Sequence, residues 1–271
     1  MESAVPLTDP YPRVSRPVIA GVRDIPSGHE IAPAYHSRGQ LVYASEGVMT
    51  VNTPLGAWVM PPQRAVWVPA WTPHWTRTAS AISMRNLYLD ATAAECLPRD
   101  CCVLNISPLL RELILEVTEL PPLYDLEGRE GRLVAVLMDR LQTVSQAPLH
   151  LPLPSDPRLL PIMKALQADP SDARSLEDWG REVGASSRTL ARLFLRDTQL
   201  GFRAWRQQVR LLSALERLAS GETVTSVAIS CGYESPSAFV AMFRRALGDP
   251  PGKYFNHPST GPSERVSHAL P

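Results

Sequence analysis

The chain has 271 residues, of which 44% are hydrophobic and 20% charged, so it is long enough for two domains that each bury a core. Its 27 Lys and Arg balance 27 Asp and Glu, which excludes a uniformly basic or acidic protein. No apolar run reaches membrane-spanning length, and residues 1–15 lack the basic start and apolar segment of a signal peptide. We therefore expect a cytoplasmic protein with a flexible N-terminus and no membrane partner.

Residues 16–95 are predicted to form a β domain. Short runs of strand-favouring residues, separated by turns, lie at 39–47, 48–54, 57–62, 64–69 and 85–89. Strands of this length at short intervals predict an antiparallel barrel or jelly roll. We assign the class α+β, with a cupin-like antiparallel β-barrel at the N-terminus.

Two motifs in this region resemble those of the cupins. The first cupin motif has His-x-His, then an acid, then a Gly seven residues beyond the acid, and the second is Pro-x-Gly-x-x-His. The matching positions here are His36, Gln40, Gly47, Pro69, Trp71 and His74. The resemblance implies that His36, Gln40 and His74 meet inside the barrel.

The departures from the cupin motifs concern the metal ligands. Ala34 replaces the first His, Gln40 replaces the acid, and Trp71 replaces the glycine. Two imidazoles and a neutral amide are a poor set for a divalent metal. We predict an effector pocket at His36, Gln40, Trp71 and His74, with no metal and no cofactor. The alternatives are a bound metal, or side chains that only satisfy buried polar groups of the barrel.

Four of the six tryptophans lie close together in this domain, at Trp58, Trp67, Trp71 and Trp75. Trp58 and Trp67 are interpreted as core. Trp71 and Trp75 flank His74, and for them an aromatic pocket and a core position are both open.

Residues 105–146 are predicted to be helical. Ser107 begins one helix, and a second, from Glu127 to Val144, carries a stripe at helical spacing. The stripe consists of Leu133, Val136, Leu137, Arg140, Leu141 and Val144. An exposed stripe of this length needs a partner, so we predict a dimerisation segment. The alternative is that it packs on its own barrel.

The segments outside the domains are rich in proline. Residues 147–161 contain five prolines and few charges, which predicts a semi-rigid linker. Residues 256–271 are rich in Ser, Pro and His and are expected to be disordered. The four cysteines, Cys96, Cys101, Cys102 and Cys231, have no zinc-ribbon spacing and are interpreted as buried thiols; sensing of thiophilic metals or oxidants is the alternative for the first three.

Residues 157–255 contain two helix-turn-helix patterns. In the first, Ser175 and Ser186 are N-caps and Gly184 ends the first helix. In the second, Ser235 is the N-cap and Pro236 the first helical residue. Between them, residues 202–219 form one amphipathic helix of about 27 Å, near the ~34 Å repeat of B-DNA. This spacing fits one protein face that contacts two major-groove segments.

This region resembles the DNA-binding domain of the AraC/XylS family of bacterial transcription regulators. The resemblance is carried by the Gly232-Tyr233-x-Ser235-x-Ser237-x-Phe239 run, by Phe243-Arg244-Arg245 and by residues 248–254. It implies promoter DNA as partner, a small-molecule effector, RNA polymerase if the protein activates, and a homodimer. The implied DNA-binding residues are Ser187, Arg188, Ala191, Arg192, Ser237, Ala238, Ala241, Arg244 and Arg245.

The charge distribution agrees with this implication. Residues 157–255 hold 14 Lys and Arg against 10 Asp and Glu, whereas the remainder holds 13 against 17. A net positive domain suits phosphate contact. No Ser-His-Asp order, phosphate loop or paired-carboxylate motif indicates an enzyme. The alternatives to an effector-responsive regulator are an effector-independent DNA-binding protein and, with incomplete ligands, a metal-dependent cupin enzyme.

Overall fold

The computed structural model describes residues 6–8, 14–61, 63–147 and 149–255. Most of the N-terminus expected to be flexible, and the tail expected to be disordered (256–271), lie outside the described residues. The strands are β1 (Val18–Ile25), β2 (Glu30–Ala34), β3 (Gly39–Tyr43), β4 (Met49–Thr53), β5 (Gly56–Met60), β6 (Arg64–Val68), β7 (His74–Thr78), β8 (Ile82–Leu89), β9 (Cys102–Asn105), β10 (Gln146–Ala147) and β11 (His150–Pro152). The helices are α1 (Ala91–Ala94), α2 (Pro108–Thr118), α3 (Arg129–Gln142), α4 (Leu159–Ala168), α5 (Leu176–Val183), α6 (Ser187–Thr198), α7 (Phe202–Ala219), α8 (Val224–Ser230), α9 (Pro236–Leu247) and α10 (Pro251–Tyr254).

An N-terminal antiparallel β domain thus precedes a C-terminal helical domain, which confirms the α+β class. The first eight strands form two sheets, with the orders β1-β8-β3-β6 and β5-β4-β7-β2. Among these eight, successive strands alternate between the sheets except β4 and β5, which pair with each other. This is the order of a double-sheet jelly roll. β9 and β10 also pair with each other and extend the first sheet to six strands. Of the two predicted forms, barrel or jelly roll, the structure has the jelly roll: no strand pair in the described ranges joins the two sheets, so the cupin-like β domain is not a closed barrel.

The outer face of the six-stranded sheet is covered by α2 and α3. Ile114 of α2 and three residues of α3, Val134, Leu137 and Leu141, are buried in one cluster with that sheet. Val136 stays exposed on the opposite side of α3. The chain's own β domain therefore covers much of the apolar stripe that the sequence assigned to a dimer partner.

The proline-rich segment contains a strand that the sequence did not predict. β11 pairs with β5 and extends the second sheet at its edge, and the side chains of Leu149 and Leu151 are buried. Proline cannot donate a ladder hydrogen bond, so it is tolerated mainly at sheet edges. An edge strand that ends at Pro152 is consistent with this limit.

The β domain and the helical domain share one continuous hydrophobic cluster. Helix α7 packs against β5 and β11, and Trp205 Nε1 donates a hydrogen bond to the carbonyl oxygen of Pro152 at 3.2 Å. Thr50 Oγ1 of β4 donates to Glu216 Oε1 of α7 at 2.5 Å. Helix α7 is therefore the element through which the two domains meet. In the described part of the chain, no helix is both long and apolar enough to cross a membrane.

Candidate DNA interface and ligand cavity

Helices α5 and α6 are joined by a tight turn whose geometry follows from local sequence. Ser175 Oγ accepts from the backbone N–H of Asp178, whose carboxylate accepts from that of Ser175, and together they form a capping box. Gly184 ends α5 with φ +68°, a conformation that disfavours residues with a Cβ. Ser186 then caps α6. All three cap positions were predicted.

Helices α8 and α9 repeat this arrangement. Thr223 caps α8, and Ser235 Oγ accepts from the backbone N–H of Ala238 to cap α9. Pro236 occupies the first turn of α9, where its missing N–H removes no helical hydrogen bond.

Helices α6 and α9 each bury one face and expose the other. Leu190, Leu193 and Phe194 anchor α6, whereas Phe239 and Phe243 anchor α9. The residues implied to contact DNA lie on the opposite faces. Ser187 is half-buried. The other eight are exposed: Arg188, Ala191, Arg192, Ser237, Ala238, Ala241, Arg244 and Arg245. The periodicity therefore placed the exposed faces correctly, while contact with DNA stays a prediction.

The arginines of the helical domain divide into two groups. Those held by carboxylates or backbone carbonyls are Arg158, Arg174, Arg181, Arg196, Arg206, Arg210 and Arg217. Those without a hydrogen bond or ion pair to a described residue are Arg188, Arg192, Arg203, Arg244 and Arg245. Four of these five are the arginines implied to bind DNA. Their guanidinium groups are free for phosphates and base edges.

Arg203 is a candidate that the sequence interpretation missed. It is exposed near the start of α7 and lines one surface groove together with Arg245 and Gln207. Its neighbours Phe202 and Trp205 are buried, so helical periodicity alone places it outward.

The two helix pairs are held together at Gly232, in the turn between α8 and α9. Its φ is +73°, and a Cβ there would lie 2.7 Å from Arg210 Nη2 and 2.8 Å from the Cα of Ser171, in the loop before α5. Arg210 itself donates to the carbonyl oxygen of Pro170 at 2.9 Å. The turn of the second pair therefore packs against the loop that leads into the first pair.

A cavity of about 330 Å³ lies between the two sheets of the β domain. It is lined by Thr8, Gly21, Val22, Arg23, Ile31, Ala32, Ala34, His36, Gln40, Val42, His74, Trp75, Thr76, Met84, Asn86 and Tyr88. His36, Gln40 and His74 line it as predicted from the motifs. Trp58 and Trp67 are core, and Trp75 lines the cavity.

Trp71 does not line this cavity, unlike the other predicted pocket residues. Its side chain is 60% exposed and lies near Tyr35. Its φ is +64°, the left-handed region that the motif glycine would favour. Its backbone N–H donates to the carbonyl oxygen of His36 at 2.8 Å, so the turn keeps the conformation of the glycine motif although the glycine is missing.

Three polar residues that line the cavity carry unpaired buried atoms. Gln40 and Thr76 are 5% exposed and Asn86 is 6% exposed. Their atoms Gln40 Oε1, Thr76 Oγ1 and Asn86 Oδ1 have no hydrogen-bond partner among the described atoms. The sequence missed Thr76 and Asn86. The alternation of side chains along β7 and β8 could have predicted them, because strand residues two apart point to the same side of a sheet. Thr76, for example, lies two residues after the motif histidine His74.

The two histidines are buried side by side, with ring centroids 5.2 Å apart. His36 Nδ1 lies 2.6 Å from the carbonyl oxygen of Thr8, and His74 Nδ1 lies 3.0 Å from that of Thr72. Burial, aided by the adjacent His36, lowers the pKa of His74. Since a carbonyl only accepts, each Nδ1 is the donor, and neutral His74 keeps Nε2 as its acceptor.

The donors around this cavity do not fit a divalent metal. Its described lining has two imidazoles but no carboxylate and no thiol, and no group of three potential ligands occurs elsewhere in the described ranges. The Nδ1 atoms are already bonded to carbonyls. The cysteines lie elsewhere, and burial raises the pKa of Cys101 to about 12 and of Cys102 to about 11, which disfavours the metal-binding thiolates.

Comparison with known proteins gives one consistent family. Residues 179–257 match a helix-turn-helix domain family. Over 219 residues the chain is 38% identical to the HTH-type transcriptional regulator NimR of Escherichia coli K12, which covers 81% of this chain and 80% of NimR. It is 33% identical over 106 residues to an AraC-like transcription regulator of Streptomyces lividans, covering 39% and 35% of the two chains. The structure of unsaturated fatty acid-bound ToxT from Vibrio cholerae covers 91% of this chain and 98% of its own, at 12% identity and TM-score 0.38.

The helix-turn-helix family match, the similarity to NimR and the exposed basic helix faces define a DNA-binding transcription regulator. The chain belongs to the AraC family.

Proposed function

We propose that this regulator binds a small-molecule effector between the two sheets of its β domain, and that binding changes how the helical domain engages promoter DNA. The observation that carries the proposal is the cavity between the sheets, whose lining includes Gln40, Thr76 and Asn86 with their unpaired polar atoms. A mostly apolar pocket with a few placed polar groups is the usual form of a ligand site.

A short route connects the cavity to the DNA-binding helices. Thr76 of β7 is paired with Val51 of β4, and the adjacent Thr50 is hydrogen-bonded to Glu216 of α7. Helix α7 packs against both α6 and α8. An effector can alter DNA binding only if it interacts differently with two arrangements of the protein. We place the difference at the contact between β4 and α7.

On the DNA side, we propose that the two helix pairs act as two helix-turn-helix units, with α6 and α9 entering successive major grooves. Arg188 and Arg192 would read base edges, since a bidentate arginine recognises guanine O6 and N7. Arg244 and Arg245, in the last turn of α9, would contact phosphates. The support is that these four side chains are exposed and unpaired.

The test of effector binding begins with the promoters. Chromatin immunoprecipitation maps the bound sites, and a reporter fused to one of them identifies a compound that changes its output. The variant His36→Phe/Gln40→Leu/His74→Phe fills the cavity and should abolish that response. Asn105→Leu, on β9 outside both the cavity lining and the contact between β4 and α7, should respond normally. A cavity-filled variant that binds the operator and responds like the wild type would place the effector site elsewhere.

We further propose that a homodimer forms through the outer side of α3, with RNA polymerase as an additional partner if the protein activates. Val136 is 45% exposed there and Leu133 is half-buried. Val136→Glu should convert a dimer to a monomer in sedimentation equilibrium and weaken operator binding through lost avidity. Leu55→Glu, in the turn after β4, is the control. Unchanged sedimentation of Val136→Glu would contradict this interface.

A further inference from the structure

The polar groups of the cavity specify the chemistry of its ligand. Three features bear on this chemistry: the charges of the lining, the hydrogen bonds that the lining already makes, and the atoms that are left over. The inference rests on the proposed function, in which this cavity is the effector site.

The charge of the lining disfavours a charged ligand. Arg23 is the only charged side chain in the described lining, and it is exposed. His74 is buried, and its lowered pKa keeps the imidazole neutral at pH 7. An ion taken from water into such a cavity loses its hydration without gaining a buried counter-charge. The favoured ligand is therefore uncharged.

The unpaired atoms of the lining are hydrogen-bond acceptors. Gln40 Nε2 faces Tyr88 OH at 3.4 Å and Asn86 Nδ2 faces Met84 Sδ at 3.0 Å, so the amide oxygens are the ends left without a partner. Thr76 Oγ1 is also unpaired, and a hydroxyl both accepts and donates. With its Nδ1 proton directed at Thr72, His74 adds a further acceptor, Nε2.

We propose that the cavity binds an uncharged small molecule that donates hydrogen bonds through N–H or O–H groups to Gln40, Thr76 and Asn86. The apolar part of the ligand packs against Ile31 and Val42 of the lining. An uncharged ligand without donors leaves the buried acceptors unpaired, and an anion adds further acceptors to them.

Four probes with a common benzene ring separate charge from donor capacity. Benzamide is neutral and donates, methyl benzoate is neutral and does not donate, benzoate is an anion, and benzylammonium is a cation that donates. Ligand-observed NMR titration of the full chain measures the four dissociation constants. Benzamide should bind roughly tenfold more tightly than each of the others, the effect of a donor that satisfies a buried acceptor.

Variants of the lining assign the binding to the cavity. Thr76→Val preserves shape and Asn86→Leu removes the amide, and each should reduce the advantage of benzamide over methyl benzoate. Asn52→Leu, the same substitution on β4 outside the lining, should leave that advantage unchanged. Because Thr76→Val removes an unpaired buried hydroxyl and keeps the shape of the side chain, it should not lower the Tm of the ligand-free protein.

The outcomes distinguish this inference from the proposed function. If benzoate, benzylammonium or methyl benzoate binds the cavity as tightly as benzamide, the site stands and the ligand chemistry is wrong. If none of the four binds, or if binding is the same in every variant, both the chemistry and the cavity as effector site are overturned. A lower Tm for Thr76→Val would show that its hydroxyl already has a structural partner and would contradict the inference.

Discussion

The ligand cavity and the candidate DNA interface present unpaired polar groups in different ways. Three of the residues that line the cavity, Gln40, Thr76 and Asn86, carry buried atoms without a described hydrogen-bond partner. On the candidate DNA interface the unpaired groups are exposed guanidinium groups such as those of Arg188 and Arg192. A buried polar atom without a partner costs about 1–3 kcal/mol, whereas an exposed arginine is hydrated.

The buried position of the first groups and the exposed position of the second suit binding partners of different size. A small molecule inside the cavity can reach groups in its wall, while duplex DNA can reach only what protrudes. A ligand in the cavity could therefore offset the cost of the unpaired atoms of Gln40, Thr76 and Asn86. The cations stay in water until a large polyanion displaces their counterions.

Removal of Trp205 is expected to have the largest effect, because this side chain lies where the two domains meet. It is fully buried, contacts Phe194 and donates to Pro152. Trp205→Ala should lower the free energy of unfolding by about 3–5 kcal/mol, measured by urea denaturation with circular dichroism. Trp71→Ala, at an exposed tryptophan, should change it by about 0.5 kcal/mol or less. Equal losses in the two variants would contradict this placement of the two tryptophans.

Substitution of the unpaired arginines sharpens the comparison on the DNA side. Arg188→Ala and Arg192→Ala should each remove about 1–3 kcal/mol of discrimination at one or two operator positions, seen as relaxed preference in a binding-site selection. Arg245→Ala should weaken all sequences alike and reduce the salt slope by about one. Unchanged operator preference in both Arg188→Ala and Arg192→Ala would refute their assignment as base readers.

Glu216 tests whether the two domains communicate through α7. Its carboxylate accepts the hydrogen bond from Thr50. Glu216→Ala should reduce the effector response of the reporter while DNA binding is retained, at a stability cost of about 1 kcal/mol for the lost bond. Thr50→Val removes the same bond from the other side and should behave alike. A normal response in both variants would exclude this contact as the coupling element.

The smallest expected effect is a pH dependence that arises from the cavity. Burial lowers the pKa of His74 below its ordinary value of 6.5, so the unfolded chain binds this proton more strongly than the folded one. The stability contribution is complete above pH 6.5 and is lost as the pH falls below it. His74→Gln should therefore flatten the decline in unfolding free energy between pH 7 and pH 5, although His150, whose pKa is also lowered by burial, still contributes. Identical profiles for wild type and variant would contradict the assignment.

The sequence predicted the helical domain more completely than the β domain. Ser175, Ser186 and Ser235 act within three residues of themselves, so their cap roles could be read locally. The exposed faces of α6 and α9 follow from a period of 3.6 residues. Which arginines are unpaired could not be predicted, because partners such as Asp172 for Arg174 or Glu222 for Arg217 depend on loop geometry.

In the β domain, which residues line the cavity depends on pairing between strands that are distant in the sequence, and the sequence alone does not specify that pairing. His36, Gln40 and His74 were found by motif, but Asn86 reaches the same cavity only because β8 pairs with both β1 and β3. Trp71 was assigned to the pocket by its place in the motif, but the turn keeps the left-handed backbone of the motif glycine and leaves the Trp71 side chain exposed. The strand β11 was missed because proline content favours a linker until an open sheet edge accepts it.

If the two helix pairs contact successive groove segments, as proposed, the close packing at Gly232 fixes the distance between those two contacts. B-DNA turns once in about 10.5 base pairs, so five base pairs inserted between the two contacted segments would carry the second to the opposite side of the duplex. A domain in which the turn of the second pair packs against the loop before the first pair cannot follow that rotation. The proposal therefore implies that an operator is defined by the length of its interval as well as by the bases on either side of it.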